Sequence, residues 1–308
     1  MKVIFMGTPE FSVPCLERLI SDGEEVVGVF TQPDKPKGRG YELSFSPVKI
    51  CALKHNIPVF QPNSMKDGKA LEILNSLKPD LSVVVAFGKI LPKEILYAPK
   101  YNSVNIHASL LPAYRGAAPI QWSILNGEKK TGVTSMLMDE GIDTGDMLIK
   151  SEVEISESVT AGELHDKLSL LGAEVLSETI KELKNNNLHP VKQDDNLSNY
   201  SPMLSKDLCP IDFNRTAQEI HNQIRGLSPW PVATAKLNGK TVKIHSSAVN
   251  NEKSGLPGVV AEADNVITVG CGDNKCIDIF ELQLEGKKRM KAKDFLLGHK
   301  IPVGTVFE

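Results

Sequence analysis

One feature constrains this chain more than any other: over its first 107 residues, short apolar runs alternate with stretches of helical spacing. The runs are KVIFM (2–6), EVVGVF (25–30), PVF (58–60), LSVVVAF (81–87) and SVNIH (103–107). Runs so short and so uniformly apolar suit strands covered on both faces, as parallel sheets require. Between them, Thr8-Pro9 opens a segment that puts Phe11, Cys15, Leu16, Leu19 and Ile20 on one face, and Ser46-Pro47 opens another with Ile50, Cys51 and Leu53. Each start offers a hydroxyl as helix cap with proline at the first helical position, where its missing N–H costs nothing. Strand–helix alternation with right-handed crossovers predicts an α/β fold, a doubly wound Rossmann-like parallel sheet that binds ligands beyond the carboxyl ends of its strands.

The pattern then changes. TGVTSMLMD (131–139) and DMLIKSEVEI (146–155) read as two strands joined by a glycine-flanked loop, and residues 160–185 as one long amphipathic helix. Residues 187–207 hold two prolines, few apolar residues and no period, as an exposed connection would. After a helix at about 215–226 come short alternating strands with turns at Asn238-Gly239, Gly255 to Gly258 and Gly270 to Gly272, the pattern of a small OB-like β-barrel. The expected organisation is a first domain at 1–186, a linker at 187–207 and a barrel domain at 208–308, a division that 308 residues accommodate.

Composition excludes several classes. No stretch approaches the roughly 20 apolar residues of a membrane span, and the opening MKVIFMGTPEF lacks a secretory pattern, so a cytoplasmic protein is expected. Five cysteines (Cys15, Cys51, Cys209, Cys271, Cys276) make an odd set that argues against a disulfide framework. Cys271 and Cys276 have neither a second Cys pair nor a nearby His, so no metal site is expected. Net charge is -3, with 14 Lys and Arg against 12 Asp and Glu after residue 205, an asymmetry too slight to name a nucleic-acid partner by itself.

Candidate chemistry begins at the end of the fifth run. Asn105 and His107 stand two apart in an extended segment, so both side chains leave the same face, while Val104 and Ile106 take the other. Polar groups there have few structural uses, although they could simply be satisfied hydrogen-bonding groups. Asp143 lies in GIDTG (141–145), where glycines on both sides let the backbone approach closely. A carboxylate beside an imidazole favours its charged form and holds its orientation, and an Asn amide can donate to an oxygen that gains negative charge. These are parts of an acyl-transfer site that lacks a covalent nucleophile.

NIHASLLPAYRGAAPI (105–120) followed by GIDTGDML (141–148) resembles the signature of folate-dependent formyltransferases. MGTPEFSVPCLERL (6–19), TQPDKPKGRG (31–40) and IDFNRTAQEIHNQIRGLSPWP (211–231) resemble that family's methionyl-tRNA branch, so the likeness covers nearly the whole chain. The resemblance implies that Asn105, His107 and Asp143 are catalytic, with 10-formyltetrahydrofolate as formyl donor, initiator methionyl-tRNA as acceptor, and no metal. It further implies a folate crevice at Ser109, Leu110, Leu111 and Pro112, with the pterin near Phe87, Gly88 and Ile90. Sheet-to-helix packing remains the alternative for Leu110, Leu111 and Phe87. The resemblance also assigns the basic loop with Lys35, Lys37 and Arg39 to the acceptor end of the tRNA.

In the second domain, Lys287, Lys288, Arg289, Lys291 and Lys293 fall within seven residues that contain no acid. This run is either a phosphate-gripping patch or a solvated face. Trp230, between two prolines, reads as a core or hinge aromatic rather than a stacking platform. No obligatory protein partner is evident. Two other enzyme classes fit less well: a sugar-nucleotide N-formyltransferase would lack the basic loop and run, and a nicotinamide-dependent oxidoreductase needs a G-x-G-x-x-G that GTPEFS does not provide. A noncatalytic RNA-binding protein would have no use for Asn, His and Asp together.

Overall fold

The computed structural model describes residues 1–37 and 42–308. The chain opens with β1 (Lys2–Gly7), α1 (Val13–Ser21) and β2 (Glu25–Phe30). A short ladder, β3 (Lys35–Lys37) with β4 (Glu42–Ser44), precedes α2 (Pro47–Lys54), β5 (Val59–Phe60) and α3 (Lys69–Leu77). Next come β6 (Leu81–Val85), α4 (Lys93–Leu96), β7 (Ser103–His107) and the two-residue β8 (Arg115–Gly116). After α5 (Pro119–Leu125) follow β9 (Lys130–Leu137), β10 (Met147–Glu154), α6 (Ala161–Lys184) and β11 (Tyr200–Ser201). The remainder comprises α7 (Ala217–Gly226), β12 (Ala233–Leu237), β13 (Lys240–Asn250), β14 (Val260–Ala263), β15 (Ile267–Gly270), β16 (Cys276–Leu284), β17 (Met290–Lys291) and α8 (Ala292–Gly298).

Contacts divide the chain into two compact units, neither contiguous in sequence. The first is Met1–Gly116, Thr131–Val153 and His165–Ser201; the second is Ala117–Lys130, Glu154–Leu164 and Pro202–Glu308.

The first unit holds a seven-stranded sheet in the order β10-β9-β7-β6-β1-β2-β5. The five apolar runs are its parallel strands, and β9 joins β7 antiparallel. Ile4, Met6 and Val84 pack on one face with Ala70, Leu74, Ile95 and Leu96 of α3 and α4. The other face receives α1 and α6: a Cβ on Gly172 would stand 3.2 Å from Ile106 and 3.7 Å from the Cys15 sulfur. Three local expectations are corrected. β6 stops at Val85, because Ala86 turns to a φ of 45° and Phe87 drops into the core beside α3 and α4. Thr8 does not cap a helix; its hydroxyl donates to the Phe87 carbonyl at 3.1 Å and accepts from Gln32 N at 3.3 Å, while Pro9 leads into a short 3-10 turn before α1. On α2 the buried face is Val48, Cys51 and Ala52, so Ile50 and Leu53 point outward, although Ser46 does cap the helix through Lys49 N at 3.1 Å.

The second unit is an antiparallel sheet in the order β12-β13-β16-β15-β14, with β17 on β16. Asn238 and Gly239, at φ of 50° and 73°, form the tight turn between β12 and β13 that positive φ at both central positions permits. The last residues close the sheet into a barrel. Lys236 and Glu308 exchange backbone hydrogen bonds on the β12 edge, while Val260 N donates to Thr305 O and Phe307 N to Gly258 O on the β14 side. α7, started by a Thr216–Glu219 capping box, lays Ala217, Ile220 and Ile224 on the barrel core. It also makes polar contacts: His221 Nε2 donates to Glu157 O at 2.8 Å, His221 Nδ1 meets Ser247 Oγ at 3.0 Å, and Arg225 donates to the carbonyls of Ser156 and Val159 at 3.0 and 3.2 Å. Burial pushes the His221 imidazole below its ordinary range. All five cysteines are buried and free. Among the described residues no helix is long and apolar enough to cross a membrane.

Candidate active site

β7 places Asn105 opposite Val84 of β6, so Asn105 and His107 leave the sheet on the face shared with Met6, at the carboxyl end of the parallel strands. The chain then turns back, and the carbonyl of Tyr114 comes to 2.9 Å from His107 Nε2. The other ring nitrogen, Nδ1, faces Asp143 Oδ2 at 3.6 Å. Both nitrogens of this 6% exposed imidazole therefore face oxygen atoms, only the Tyr114 carbonyl within hydrogen-bond distance.

The Asp143 carboxylate is held at both oxygens. Gly116 N donates to Oδ2 at 2.8 Å, and Asn105 Nδ2 lies 3.4 Å from Oδ1. Its backbone is left-handed, with a φ of 55°, a conformation that costs an L-residue about 1–2 kcal/mol. The flanking glycines have the use expected of them. A Cβ on Gly145 would stand 1.8 Å from the Leu137 carbonyl oxygen, and one on Gly141 would stand 2.0 Å from Thr144 Oγ1. Asp139 braces the same loop, accepting from Thr144 Oγ1 at 2.7 Å and Gly141 N at 3.1 Å. The structure thus brings Asn105, His107 and Asp143 together, although 38 residues separate the first from the last.

The other expected site residues are placed unevenly. Ser109 is buried, its hydroxyl donating to Ala113 O at 2.7 Å. Leu111 packs inward on Met136 and Met147, while Leu110 and Pro112 stay partly exposed. Thr134 holds this turn, its hydroxyl donating to Ser109 O at 2.7 Å and accepting from Leu111 N at 3.1 Å. Lys150 donates to Leu111 O at 2.5 Å, and burial pulls its ammonium below the usual lysine range. Phe87 is a core residue, Gly88 turns the chain at a φ of 74°, and Ile90 is 77% exposed. Lys35 is exposed at the start of β3, Lys37 ends that strand, and Arg39 lies outside the described residues.

In the second unit, Lys287, Lys288 and Lys291 are exposed on the turn after β16 and on β17, and only Lys293 belongs to a helix, α8. Arg289 is committed, its Nε donating to Glu281 Oε2 at 2.8 Å. A run with no acid in sequence therefore acquires one in space.

Sequence reasoning missed the residues that hold this site from behind. Asn199 Oδ1 accepts from Tyr114 N, and Ser201 Oγ donates to Tyr114 O at 3.2 Å and to Arg115 O at 2.8 Å. Gln193 joins them. All three lie in the polar stretch after α6, with no local pattern to single them out. Glu17, Cys51 and His55 also place donor atoms within 4.8 Å of one another. Burial and the Glu17 carboxylate push the Cys51 thiol up to about 11, and Lys54 Nζ already neighbours Glu17 at 3.7 Å, which leaves the cluster poorly suited to a cation.

The formyl transferase family model matches residues 1–180, and the model of the family's C-terminal domain matches residues 203–300. A methionyl-tRNA formyltransferase of Alkaliphilus oremlandii is 52% identical over 308 residues, covering 99% of both chains, and that of Caldanaerobacter subterraneus is 50% identical over 310 residues, covering all of both. The chain belongs to the methionyl-tRNA formyltransferase family. Its activity class is formyl transfer, in the service of translation initiation. Among solved structures, an N-formyltransferase from Helicobacter canadensis, in complex with folinic acid and dTDP-3-aminofucose, superposes with a TM-score of 0.71 at 26% identity. That match covers 91% of this chain and 98% of the other. The family assignment explains why a Rossmann-like sheet lacks the dinucleotide glycine pattern. Here Asn105, His107 and Asp143 meet at the carboxyl end of β7 instead.

Proposed function

We propose that this chain transfers the formyl group of 10-formyltetrahydrofolate to the α-amino group of initiator methionyl-tRNA, in the cytoplasm. The convergence of Asn105, His107 and Asp143 at the carboxyl end of β7 carries the reading. The amine attacks the formyl carbon, a tetrahedral oxyanion forms, the bond from that carbon to the folate nitrogen breaks, and the proton lost by the amine goes to the departing nitrogen. His107 Nε2 is occupied by Tyr114 O, so Nδ1 is the ring nitrogen available to the oxyanion, beside the Asn105 amide. The 3.6 Å gap between Nδ1 and Asp143 is longer than a hydrogen bond, so that nitrogen is not committed to the carboxylate. Asp143 orients the ring and passes the proton through water.

The folate would lie along Leu110 and Pro112, the partly exposed members of the 109–112 turn, with Ser109 and Leu111 shaping it from beneath and Gly88 and Ile90 bordering the pterin. Phe87 would support that wall from the core. Lys35, Lys37 and Arg39 would meet the acceptor end, and Lys287, Lys288, Arg289 and Lys291 the phosphate backbone. The Helicobacter enzyme's amino-sugar nucleotide supplies the competing acceptor. The deciding experiment offers the purified protein 10-formyltetrahydrofolate with either charged initiator tRNA or dTDP-3-aminofucose. Formylation of the tRNA is expected, and formylation of the sugar alone overturns the reading.

A further inference from the structure

We propose that Gln193 is a positioning residue for Asp143, an inference that rests on Asp143 acting with Asn105 and His107 in formyl transfer. Its amide nitrogen donates to two carbonyls of the Asp143 loop, Asp143 O and Gly145 O, each at 2.8 Å. Its amide oxygen accepts from Arg115 Nε at 3.0 Å. One neutral side chain thereby ties the loop that presents the carboxylate to the segment Tyr114–Gly116. That segment supplies the carbonyl bound by His107 and the N–H bound by Asp143.

The surrounding residues make this a strap. Val191 exchanges backbone hydrogen bonds with Met147 at 2.8 and 2.9 Å, just beyond the loop. Arg115 continues to Asp195 Oδ1 at 2.8 Å, Asn199 and Ser201 hold Tyr114, and β11 pairs with β8. Residues 191–201 thus cross both arms of the site, and Gln193 touches the Asp143 loop and Arg115 at once. A tether matters here because Asp143 sits in the left-handed region, from which an unheld loop would relax and swing its carboxylate away. Glutamine fits this position because two donors and one acceptor meet three partners without adding a charge beside Asp143.

The test measures single-turnover formyl transfer, folate and tRNA affinity, and thermal melting for Gln193→Ala and Gln193→Glu, each in the wild-type and Asp143→Ala backgrounds. Gln193→Glu keeps the acceptor for Arg115 and loses both donors. Both variants should slow transfer by about 10- to 100-fold, the range that misplacement of a reacting group by an ångström produces. Affinities for folate and tRNA should stay within about twofold, as the effect falls on geometry rather than binding. In the Asp143→Ala background neither change should slow transfer further by more than about twofold, because the residue it positions is gone. Wild-type rates for Gln193→Glu, or an equal loss in both backgrounds, overturn the proposal. The two readings separate cleanly: an Asp143→Ala protein that retains wild-type turnover sinks the catalytic assignment itself, whereas an inactive Asp143→Ala beside an active Gln193→Ala sinks only the tether.

Discussion

Asp143 and Lys288 are both charged, yet they are held in opposite ways. The Asp143 side chain is 16% exposed, and its neighbours include a backbone N–H, an amide and an imidazole. Lys287, Lys288 and Lys291 stand in solvent on a turn and a two-residue strand, and Arg289 shares its charge with a surface Glu. Chemistry needs the first arrangement, since fixed dipoles in a poorly hydrated site need no reorganisation as charge develops. A grip on a polyanion works well with the second, because hydrated cations gain affinity by releasing counterions and tolerate imprecise contact.

The largest effects should come from breaking the buried arrangement. Asn105→Ala, His107→Ala and Asp143→Ala should each lower turnover by about 10²- to 10³-fold, the usual cost of one oxyanion donor, with melting temperatures near wild type. Turnover and thermal melts on the same preparations check this. A loss of stability matching the loss of rate would mean that the three residues hold the fold and do no chemistry.

Gly145→Ala attacks the same region through its backbone. The new Cβ would overlap the Leu137 carbonyl oxygen, so the loop must move and carry Asp143 with it. Transfer should fall by more than about tenfold while folate binding is retained, a split that separate kcat and KM measurements resolve. Gly239→Ala provides the contrast, for nothing lies within 4 Å of its Cβ position and only its φ of 73° opposes the change. Turnover of that variant should remain normal.

Smaller effects belong to the exposed arrangement. Neutralising Lys287, Lys288 and Arg289 together should weaken tRNA binding and flatten its salt dependence by up to about 3 units, and by nearer 2 because Arg289 is already paired with Glu281. Titrations across several salt concentrations measure the slope. An unchanged slope would leave the run as ordinary solvated surface and the barrel without this role.

The smallest expected effect is a pH dependence in the second unit. His221 is buried with a depressed pKa, so the unfolded chain binds its proton more readily than the folded one. Its contribution should be constant above about pH 6.5, the unperturbed value, and stability should decline as pH falls below it. Melting from pH 8 to 5 should show this, and His221→Gln should reduce the slope. His245, whose imidazole burial also lowers, keeps a remainder. A slope identical to wild type in His221→Gln would assign the acid sensitivity elsewhere.

A cut near residue 190, which composition suggests as a harmless break in a polar connection, would remove Gln193, Asn199 and Ser201 from the site. Nor would a longer fragment ending at Ser201 be free of exposed core, because Ala118, Trp122 and Leu125 pack on the apolar cluster of the second unit. Folate binding by fragments ending at 190 and at 201 compares the two, with the weaker expected from the first.

What could be read from residue order was whatever local periodicity encodes. Five apolar runs became five parallel strands because burial on both faces leaves no other composition. Asn105 and His107 share a face because a strand repeats every two residues, and the glycines around Asp143 announced a backbone approach that the structure displays at the Leu137 carbonyl. Tertiary structure alone decided that the Tyr114 carbonyl would take one nitrogen of His107 and that Glu281 would find Arg289. It alone decided that a glutamine 50 residues beyond Asp143 would tie the loop in place. Hydrogen bonds between such distant groups follow from where the folded chain passes, and a solitary polar side chain in an aperiodic stretch carries no trace of that path.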